Sequence, residues 1–362
     1  MNIKWCILLA LGLSFTFVDG DRERTLRFPQ DVAKGNSYVE EIPDADYRHA
    51  SEAAYRQFRA MKYGVRIHWG LYSMLPAARE SWTFLGLSDS DRQAYLDSYR
   101  KWNPEGFDAE EWMKFLERAG FRCFTITTKH HEGFSLWDTK TKVHRRPNYG
   151  TPGSPVIEEC ALAYSVAETP FKRDIIRELC TAAHRHGIKI DLYFSHSDWY
   201  DADFRPFGRH PLQTPGSSDI KTVEERQGRP AVLFPEPTPE DRARMMARHH
   251  EQLRELLTNY GKIDMLCLDI QLGAKLWPQL KQTIKELRRL QPDVMLRNRG
   301  IGNYGDYYTP ERVVPGDKSA SRMPWMVIYP LGTNFSWEGD GAKHKGAKWV
   351  VDNLVGYGRQ GR

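Results

Sequence analysis

The sequence predicts an α/β fold, an irregular (β/α)8-like (TIM-type) barrel with six or seven recognisable strands. Strand-like and helix-like segments alternate from about residue 50 onward, which is typical of βαβ units around a parallel sheet. No glycine-rich phosphate-binding motif follows the first strand, which disfavours a nucleotide-binding doubly wound sheet. Because a regular barrel has about eight strands, the last strand is expected to be missing or formed differently.

The first twenty residues have the three parts of a secretory signal peptide. A basic start, MNIK, precedes the apolar run WCILLALGLSFTFV, and the residues DG follow. Such a run is too short to cross a bilayer comfortably, so removal after export is favoured over a membrane anchor. We expect a signal peptide at 1–20, a polar leader at 21–50 and the catalytic barrel at 51–362. The expected location is secreted or periplasmic, or lysosomal in a eukaryotic host, without stable membrane insertion.

The composition is that of a globular protein with a sizeable core. Hydrophobic residues make up 40% of the chain and charged residues 27%, which excludes a disordered polymer. The net charge of +5 is spread over 52 basic and 47 acidic side chains without a basic run, which argues against nucleic-acid binding. The cysteines after the signal segment lack a paired spacing, so neither a zinc site nor a disulfide scaffold is expected. They are Cys123, Cys160, Cys180 and Cys267.

Five strands of the predicted barrel have clear sequence signals. Each is a short run of apolar and β-branched residues, bounded by turn residues or by the end of a helix. They lie at 63–68, 121–128, 188–195, 263–269 and 294–298. A stretch rich in glycine and proline, at about 201–237, is predicted to be a loop.

Four helices alternate with these strands. One begins with Asp108 as its cap and ends before Gly120, with apolar residues at helical spacing. The longest begins with Thr238 and Pro239 and ends before Gly261. The predicted ranges are 108–119, 172–186, 238–260 and 279–290.

Titratable and aromatic residues gather where the predicted strands end. The loops after the carboxyl ends of parallel barrel strands build the site, so these residues are expected to share a pocket. Asp269 ends the strand at 263–269, whereas Asp264 lies near its entry and needs only a structural role. The residues at or soon after the strand ends include His68, Trp69, Glu80, Trp82, His130, His131, Tyr193, Trp199 and Asp269.

Each of these residues also has a plainer interpretation. A single histidine at a strand end, such as His68, is as often structural as functional, whereas His130 and His131 recur at a second strand end. Histidines on the predicted helices are expected to face solvent. A metal could be held by His68, His130, His131 and Asp269, but no short-spaced ligand motif supports one, so no metal is expected.

Several sequence blocks resemble those of the α-L-fucosidases of glycoside hydrolase family 29. They are YGVRIHWGLYS, TITTKHHEGFSLWD, KRDIIRELCTAAHRHGIKIDLYFSHSDW and YGKIDMLCLD, in that order and spacing. The match continues through RNRGIGNYGDYYTPE and covers about residues 45–354. The resemblance implies a retaining glycosidase that removes terminal α-L-fucose from glycans without a metal or organic cofactor. The implied partner is a fucosylated glycan or glycoconjugate, and the oligomeric state is left open.

The resemblance also implies roles for individual residues. The aspartate that closes the matching strand is the nucleophile in this family, which corresponds to Asp269. Histidines hold the fucose hydroxyls, and aromatic faces suit the apolar side of the sugar. The loop with Glu80 and Trp82 reads Glu-Ser-Trp where the family usually has Glu-Trp. The expected sugar contacts are His68, Trp69, Glu80, Trp82, His130, His131, Tyr193 and Trp199.

The proton donor departs from the family pattern. A retaining glycosidase needs a second carboxyl group about 5 Å from the nucleophile. The segment PWMVIYPLGTNFSWEGD places Met326 where the family has its acid/base glutamate. Glu311, in YTPE, is the favoured substitute, and Glu338, in SWEGD, is the alternative.

Three functions stay open on the sequence alone. The first is hydrolysis of terminal α-L-fucosides, favoured because a pure binding protein needs no nucleophile at Asp269. The second is a fucose-binding relative with weak or lost turnover, suggested by Met326. The third is a retaining hydrolase of a different or decorated sugar. The sequence also ends where the family supplies a last barrel strand and a β-sandwich domain, so this domain is expected to be absent.

Overall fold

The computed structural model describes an irregular α/β barrel. The described residues are 7–13, 43–75, 79–152, 155–205, 210–212, 234–312 and 323–360. Among them, seven strands form one mostly parallel sheet and two form a hairpin. The strands are β1 (Ile7–Leu13), β2 (Tyr63–Ile67), β3 (Cys123–Lys129), β4 (Arg145–Asn148), β5 (Val156–Glu159), β6 (Lys189–Ser195), β7 (Met265–Asp269), β8 (Met295–Leu296) and β9 (Trp325–Pro330).

The large sheet has the order β8–β7–β6–β3–β2–β1–β9. β2, β3, β6, β7 and β8 run parallel to one another, as the predicted βαβ units require. Among the described residues no regular strand joins β8 to β9, but single parallel bridges link Arg297 to Tyr307 and Glu311 to Ile328. The chain between Tyr307 and Glu311 therefore forms an irregular seam between the two edges of the sheet. The predicted irregular barrel is confirmed.

The apolar segment predicted to belong to a signal peptide contains a strand of this sheet. β1 pairs antiparallel with β2 on one side and with β9 on the other, so that Leu9 lies opposite both Val65 and Tyr329. Seven residues suffice for one strand, and pairing satisfies backbone groups that β2 and β9 would otherwise leave open. The rest of the predicted signal peptide and most of the leader lie outside the described residues.

The four predicted helices are confirmed, with small shifts at their ends. Asp108 accepts a hydrogen bond from the backbone of Glu111, and Thr238 and Asp241 form a capping box. None of the helices in the described ranges combines the length and the apolar character that a bilayer crossing requires. The helices are α1 (Glu52–Met61), α2 (Asp89–Leu96), α3 (Ala109–Arg118), α4 (Ile175–Arg185), α5 (Pro239–Thr258), α6 (Trp277–Leu290) and α7 (Ala347–Gln360).

A small apolar cluster lies at the amino end of the barrel. Cys123, Met265 and Met295 begin β3, β7 and β8, and they pack with residues of α1 in one cluster. Met326, the second residue of β9, belongs to the same cluster and is buried. Because β9 runs in the same direction as β2, Met326 lies near the amino end of the barrel.

The buried carboxylate of Asp306 ties the residues before β2 to the late part of the barrel. It accepts hydrogen bonds from the backbone of Ala50 at 3.1 Å, from Tyr55 at 3.2 Å and from the backbone of Leu296 at 2.8 Å. Burial alone would raise the pKa of Asp306, but the ion pair with Arg288 outweighs it and lowers the pKa to about 2. One ionised side chain thus joins α1 to β8 and α6.

Candidate active site

A cavity of about 270 Å3 opens where β2, β3, β6 and β7 reach their carboxyl ends. Its volume is close to the lower end of small-molecule pockets, about 300 Å3. Within the described residues, the lining is dominated by histidine, arginine and carboxyl side chains. It consists of Arg66, His68, Arg79, Glu80, Trp82, His130, His131, Tyr193, Asp269, Ile270, Arg297, Arg299, Glu311, Arg312, Ile328, Asn334 and Phe335.

Two of the pocket histidines are held at Nδ1 by hydroxyl groups of neighbouring strands. His68 Nδ1 lies 2.8 Å from Oγ1 of Thr127 in β3. His131 Nδ1 lies 2.6 Å from Oγ of Ser195 at the end of β6. A hydrogen bond at Nδ1 fixes the ring orientation, so each ring has a defined position for its second nitrogen, Nε2.

His130 is fixed in the same way by Ser81, which lies in the segment between β2 and β3. Its Nδ1 forms a short hydrogen bond with Ser81 Oγ, and its ring stacks on Tyr193 with centroids 5.3 Å apart. Burial, as the main cause, lowers the pKa of His130 and of His68 well below the ordinary value. Both rings are therefore neutral at physiological pH and can act as hydrogen-bond donor or acceptor toward a hydroxyl group.

Asp269 ends β7 and is surrounded by hydrogen-bond donors. Tyr193 donates its hydroxyl hydrogen to Oδ2 at 2.6 Å, while Arg299 and Arg297 contact Oδ1 at 2.7 Å and 3.3 Å. Burial alone would raise the pKa of Asp269, but the charges of Arg299 and Arg297 outweigh it and hold the pKa well below its usual value. Asp269 is thus an ionised carboxylate in a largely buried position.

The backbone just after Asp269 has an unusual conformation. Ile270 has a φ angle of 64°, which is a rare value for a β-branched residue. The facing residue is Gly300, where an added Cβ would lie 2.7 Å from the carbonyl oxygen of Ile270. Strain of this kind persists only where the surrounding structure imposes it. The pocket lining at Ile270 therefore depends on the close approach of two backbone segments.

Glu311, the favoured sequence candidate for the proton donor, lines the pocket but is paired with two arginines. Its Oε1 lies 3.1 Å from Arg297 and 2.8 Å from Arg299. Burial alone would raise the pKa of Glu311, but Arg299 and Arg297 outweigh it and lower the pKa. Since Asp269 contacts the same two guanidinium groups, the four side chains form one cluster of alternating charge.

Glu80 has the opposite surroundings. Its side chain is only 6% exposed, and its Oε1 atom has no hydrogen-bond partner among the described residues. Burial raises the pKa of Glu80 to about 7, although Arg79 and Arg312 act in the opposite direction. This pocket carboxyl group is therefore partly protonated at neutral pH.

Two of the predicted aromatic sugar contacts differ in their access to the pocket. Trp82 is half-buried, lines the cavity, and lies edge-on to His131 with ring centroids 4.5 Å apart. Trp199 is almost completely buried behind Trp82 and outside the lining, with centroids 5.4 Å apart. Trp82 therefore remains a candidate sugar contact, and Trp199 packs against Trp82 from outside the described lining.

Trp69, an expected sugar contact, lies outside the described lining of the pocket. Its ring packs against other aromatic side chains. Alternation explains this position, because consecutive residues in extended chain point in opposite directions and His68 faces the pocket. The rings around Trp69 belong to Trp102, Phe107 and Trp112.

Glu338 and Met326 also lie outside the described lining of the pocket. Glu338 accepts hydrogen bonds from the backbone of Thr333 at 2.7 Å and from the side chain of Asn334 at 3.1 Å. It therefore shapes the loop that brings Asn334 into the lining, which is a structural role. Met326 packs at the amino end of the barrel, and Ile328, two residues later on β9, lines the pocket.

The arginines of the pocket were not predicted from the sequence. Arg297 and Arg299 follow β8 directly, so the rule that strand ends build the site covers them. Arg66 lies within β2, and a single charged residue in an otherwise apolar strand does not by itself indicate a site. Arg79 and Arg312 lie in loops, where the sequence carries no signal for their approach to the cavity.

No metal centre is found in the part of the chain that the structure describes. Among these residues no group of three or more histidine, cysteine, aspartate or glutamate side chains could hold a metal ion. The pocket histidines instead have hydroxyl partners at Nδ1, as described above. The arrangement suits the binding of a polyhydroxylated molecule beside an ionised carboxylate.

Comparison with known proteins gives one consistent family. The family model for α-L-fucosidase matches residues 33–357. Among curated proteins, the tissue α-L-fucosidase of Macaca fascicularis is 28% identical over 235 residues, which are 61% of this chain and 43% of that protein. The putative α-L-fucosidase of Caenorhabditis elegans is 27% identical over 163 residues, 41% of this chain and 30% of that protein. The chain thus matches less than half the length of these relatives.

Solved structures give the same result. An α-L-fucosidase of glycoside hydrolase family 29 from Bacteroides thetaiotaomicron has a TM-score of 0.64 at 25% identity, covering 87% of this chain and 68% of that one. Isoenzyme 1 of the α-L-fucosidase from Paenibacillus thiaminolyticus has a TM-score of 0.58 at 28% identity, covering 81% and 64%. With the family model matching most of its length, this chain belongs to the α-L-fucosidase family, glycoside hydrolase family 29.

Proposed function

We propose that this protein is a glycoside hydrolase that removes terminal α-L-fucose from glycans with Asp269 as the nucleophile of a retaining mechanism. The observation that carries the proposal is the setting of Asp269. It is an ionised carboxylate in the cavity lining, oriented by Tyr193 and accompanied by His68, His130 and His131. A retaining glycosidase needs such a carboxylate to attack the anomeric carbon.

The surrounding side chains suit a single sugar ring. Neutral histidines with fixed orientation can bind hydroxyl groups through directed hydrogen bonds. Trp82 and Phe335 supply apolar surface for the C–H side and the methyl group of fucose. A fucosylated glycan would then enter with its terminal sugar in the cavity and the remaining sugars toward solvent.

A related structure supports the covalent intermediate that this mechanism requires. A fucosidase of the same family from Bacteroides thetaiotaomicron was trapped as a covalent intermediate with 2-fluoro-fucosyl fluoride. That chain is 25% identical to this one, with a TM-score of 0.63. For the present protein we infer the same intermediate, an ester between C1 of fucose and a carboxylate oxygen of Asp269.

The experiment combines turnover with trapping. Purified protein is assayed on a nitrophenyl α-L-fucoside beside Asp269→Ala, which we expect to lose activity on the order of 10⁴-fold. Incubation with 2-fluoro-fucosyl fluoride should add one fluorofucosyl group to the peptide that contains Asp269, as seen by mass spectrometry. A folded parent protein with no more activity than Asp269→Ala, and no labelled peptide, would exclude the hydrolase.

Two alternatives follow from particular observations. Met326, an apolar residue where the family has its acid/base glutamate, favours a fucose-binding relative without turnover. In that case calorimetric titration with L-fucose shows binding while the fucoside assay stays negative. The further arginines in the lining favour a decorated, anionic sugar, which a panel of aryl glycosides, sulfated and unsulfated, would reveal.

We also propose export, with residues 1–20 acting as a signal peptide. The composition of this segment supports the proposal, and the position of β1 in the sheet argues against it, because a removed segment cannot pair with β2 and β9. N-terminal sequencing of the protein from the medium or periplasm decides between them. A mature chain that starts near residue 21 supports export with cleavage, and an intact Met1 in the folded protein contradicts it.

A further inference from the structure

The proposed function requires a proton donor, and the pocket offers two carboxyl groups for that task. Among the described residues, the lining contains three carboxyl side chains, and Asp269 is assigned as the nucleophile. The choice is therefore between Glu311, which the sequence favours, and Glu80, which the resemblance treats as a sugar contact.

Glu311 has the wrong electrostatic surroundings for a general acid. Its carboxylate contacts both Arg297 and Arg299, and its side chain is 36% exposed. Each guanidinium group stabilises the ionised form, so protonation of Glu311 would break two ion pairs. A group that must deliver a proton to the leaving oxygen needs to hold that proton at the working pH.

Glu80 meets this requirement through its contacts. It lines the cavity, it is almost fully buried, and its Oε1 has no partner among the described residues. Glu80 forms no ion pair within the described residues, so its ionised form lacks the stabilisation that Arg297 and Arg299 give to ionised Glu311. Burial, which disfavours the charged form, is then the largest influence and raises the pKa to about 7.

The position of Glu80 is also fixed by its backbone. Glu80 has a φ angle of 40°, an uncommon value for a residue with a side chain, and it begins the short helical turn Glu80–Gly86. The next residue, Ser81, is hydrogen-bonded to His130. Strained backbone that is held by surrounding contacts is common at functional sites. The carboxyl group of Glu80 is thus attached to the same framework as the pocket histidines.

We propose that Glu80 is the catalytic acid and base of this pocket, an inference that rests on the proposed fucosidase function. In the first step the carboxylate of Asp269 attacks C1, the glycosidic C–O bond breaks, and the leaving oxygen takes the proton of Glu80. In the second step ionised Glu80 accepts a proton from water, the water oxygen bonds to C1, and the ester bond to Asp269 breaks. Glu80 is protonated again at the end, so the cycle is balanced.

The charged groups that face Glu80 give this acid a defined pH dependence. Arg79 and Arg312 favour its ionised form, whereas Glu311 and Asp269 favour the protonated form. Since protonated Glu80 is needed for departure of the first product, kcat/KM for a poor leaving group should fall as the pH rises above about 7. For an activated leaving group the alkaline fall should be weak or absent, because such a group departs without a proton.

The experiment compares Glu80→Gln with Glu311→Gln on two substrates, a nitrophenyl and a phenyl α-L-fucoside. With Glu80→Gln, kcat/KM for the phenyl fucoside should fall about 10²- to 10⁴-fold, while that for the activated substrate falls much less. Azide, which attacks without a base, should restore turnover of Glu80→Gln on the activated substrate and yield fucosyl azide of retained configuration. Glu311→Gln should show neither the leaving-group dependence nor azide rescue.

Three outcomes would overturn the inference. If Glu80→Gln lowers kcat/KM equally for both substrates, and does so through a raised KM, then Glu80 only binds the sugar. Azide rescue of Glu311→Gln makes Glu311 the acid. A parent protein that is labelled by 2-fluoro-fucosyl fluoride but shows no alkaline fall on the phenyl fucoside lacks an acid of this pKa, and this measurement needs no variant. Absence of both labelling and turnover in the parent instead removes the proposed function itself.

Discussion

The two sides of the pocket set the charge of their carboxyl groups by opposite means. On the histidine side, formed by His68, His130 and Glu80, burial dominates and the groups tend to be neutral. On the arginine side, formed by Asp269, Glu311, Arg297 and Arg299, ion pairs outweigh burial and the carboxyl groups are ionised. Burial alone therefore does not determine the pKa of a carboxyl group in this pocket, because contact with arginine side chains can outweigh it.

This difference corresponds to the two tasks of a retaining glycosidase. A nucleophile must be ionised when the substrate arrives, and an acid must hold its proton. One cavity provides both conditions because Arg297 and Arg299 contact Asp269 and do not form an ion pair with Glu80 within the described residues. The division is therefore testable by removing cations from one side or carboxyl groups from the other.

The largest effect is expected from Arg297→Met, which removes a buried cation from the arginine side. Arg297 is 1% exposed and contacts Asp269 and Glu311. Loss of one partner from a buried ionic cluster leaves uncompensated charge, so the free energy of unfolding should fall by about 3–5 kcal/mol. Urea denaturation measures this change, and the acid limb of the rate profile should move to higher pH because the pKa of Asp269 rises. An unchanged unfolding midpoint would contradict the proposed role of the cluster.

A smaller effect of opposite sign is expected from Glu80→Gln on the histidine side. The pKa of Glu80 in the folded chain is about 7, above the ordinary value of 4.5. Between these values the unfolded chain releases a proton that the folded chain keeps, so Glu80 lowers stability as the pH rises from 4.5 to 7. Glutamine removes this penalty, and the variant should exceed the parent in stability by up to about 3 kcal/mol at pH 8.

The matching control for Glu80→Gln is the same measurement at low pH. Near pH 4 both the folded and the unfolded chain hold the proton of Glu80, so the gain in stability should largely disappear. Thermal unfolding at the two pH values gives the comparison within one pair of proteins. A gain that is equal at both pH values would show that packing, and not ionisation, is responsible.

Ser81→Ala tests how the histidine side holds its rings. It removes the hydrogen bond to His130 Nδ1 while leaving Glu80 in the sequence. One hydrogen bond contributes about 0.5–1.5 kcal/mol, so KM for an aryl fucoside should rise about 2- to 10-fold with a smaller change in kcat. Ser81→Thr keeps the hydroxyl group and serves as the matched variant, with KM close to the parent value. A loss confined to kcat would place Ser81 in the proton transfer instead.

The smallest effect is expected from Arg312→Met at the pocket mouth. Arg312 is exposed and lies over the ring of Phe335, with 4.7 Å between the guanidinium carbon and the ring centroid. An exposed cation–π contact contributes about 0.5–1 kcal/mol, so urea unfolding should change by no more than that. Comparing the loss of unfolding free energy with that of Arg297→Met then shows how much more a buried cation of this pocket contributes to stability than an exposed one. Equal losses for the two variants would contradict the distinction.

The barrel and half of the site could be predicted from the sequence because their signals are local. Four helices and five strands follow from periodicity, and Asp269 and the histidines follow from their places at strand ends. β9 is not among the predicted strands. The segment that contains Met326 is interpreted from the family pattern, although its apolar run WMVIYP is itself typical of a strand. The antiparallel place of β1 depends on partners more than fifty residues away, which no local pattern encodes.

The charge states of the site could not be predicted, for a physical reason. Glu80 and Glu311 are the same residue type, but burial raises the pKa of Glu80, whereas Arg299 and Arg297 lower that of Glu311. Such contacts depend on the packing of β8 against the seam. The sequence also does not distinguish His68, which lines the pocket, from its neighbour Trp69, which packs against Trp102 outside the described lining.

The contacts of Asp306 have a consequence for the order of events during synthesis. Tyr55 precedes Asp306 by 251 residues, and Tyr47 donates its hydroxyl hydrogen to the carbonyl oxygen of Tyr304 across 257 residues. At about 5–20 residues per second, the early segment leaves the ribosome roughly 10–50 s before its partners exist. α1 therefore cannot complete these contacts at the amino end of the barrel until Asp306 has been synthesised, and until then its apolar face is accessible to chaperones.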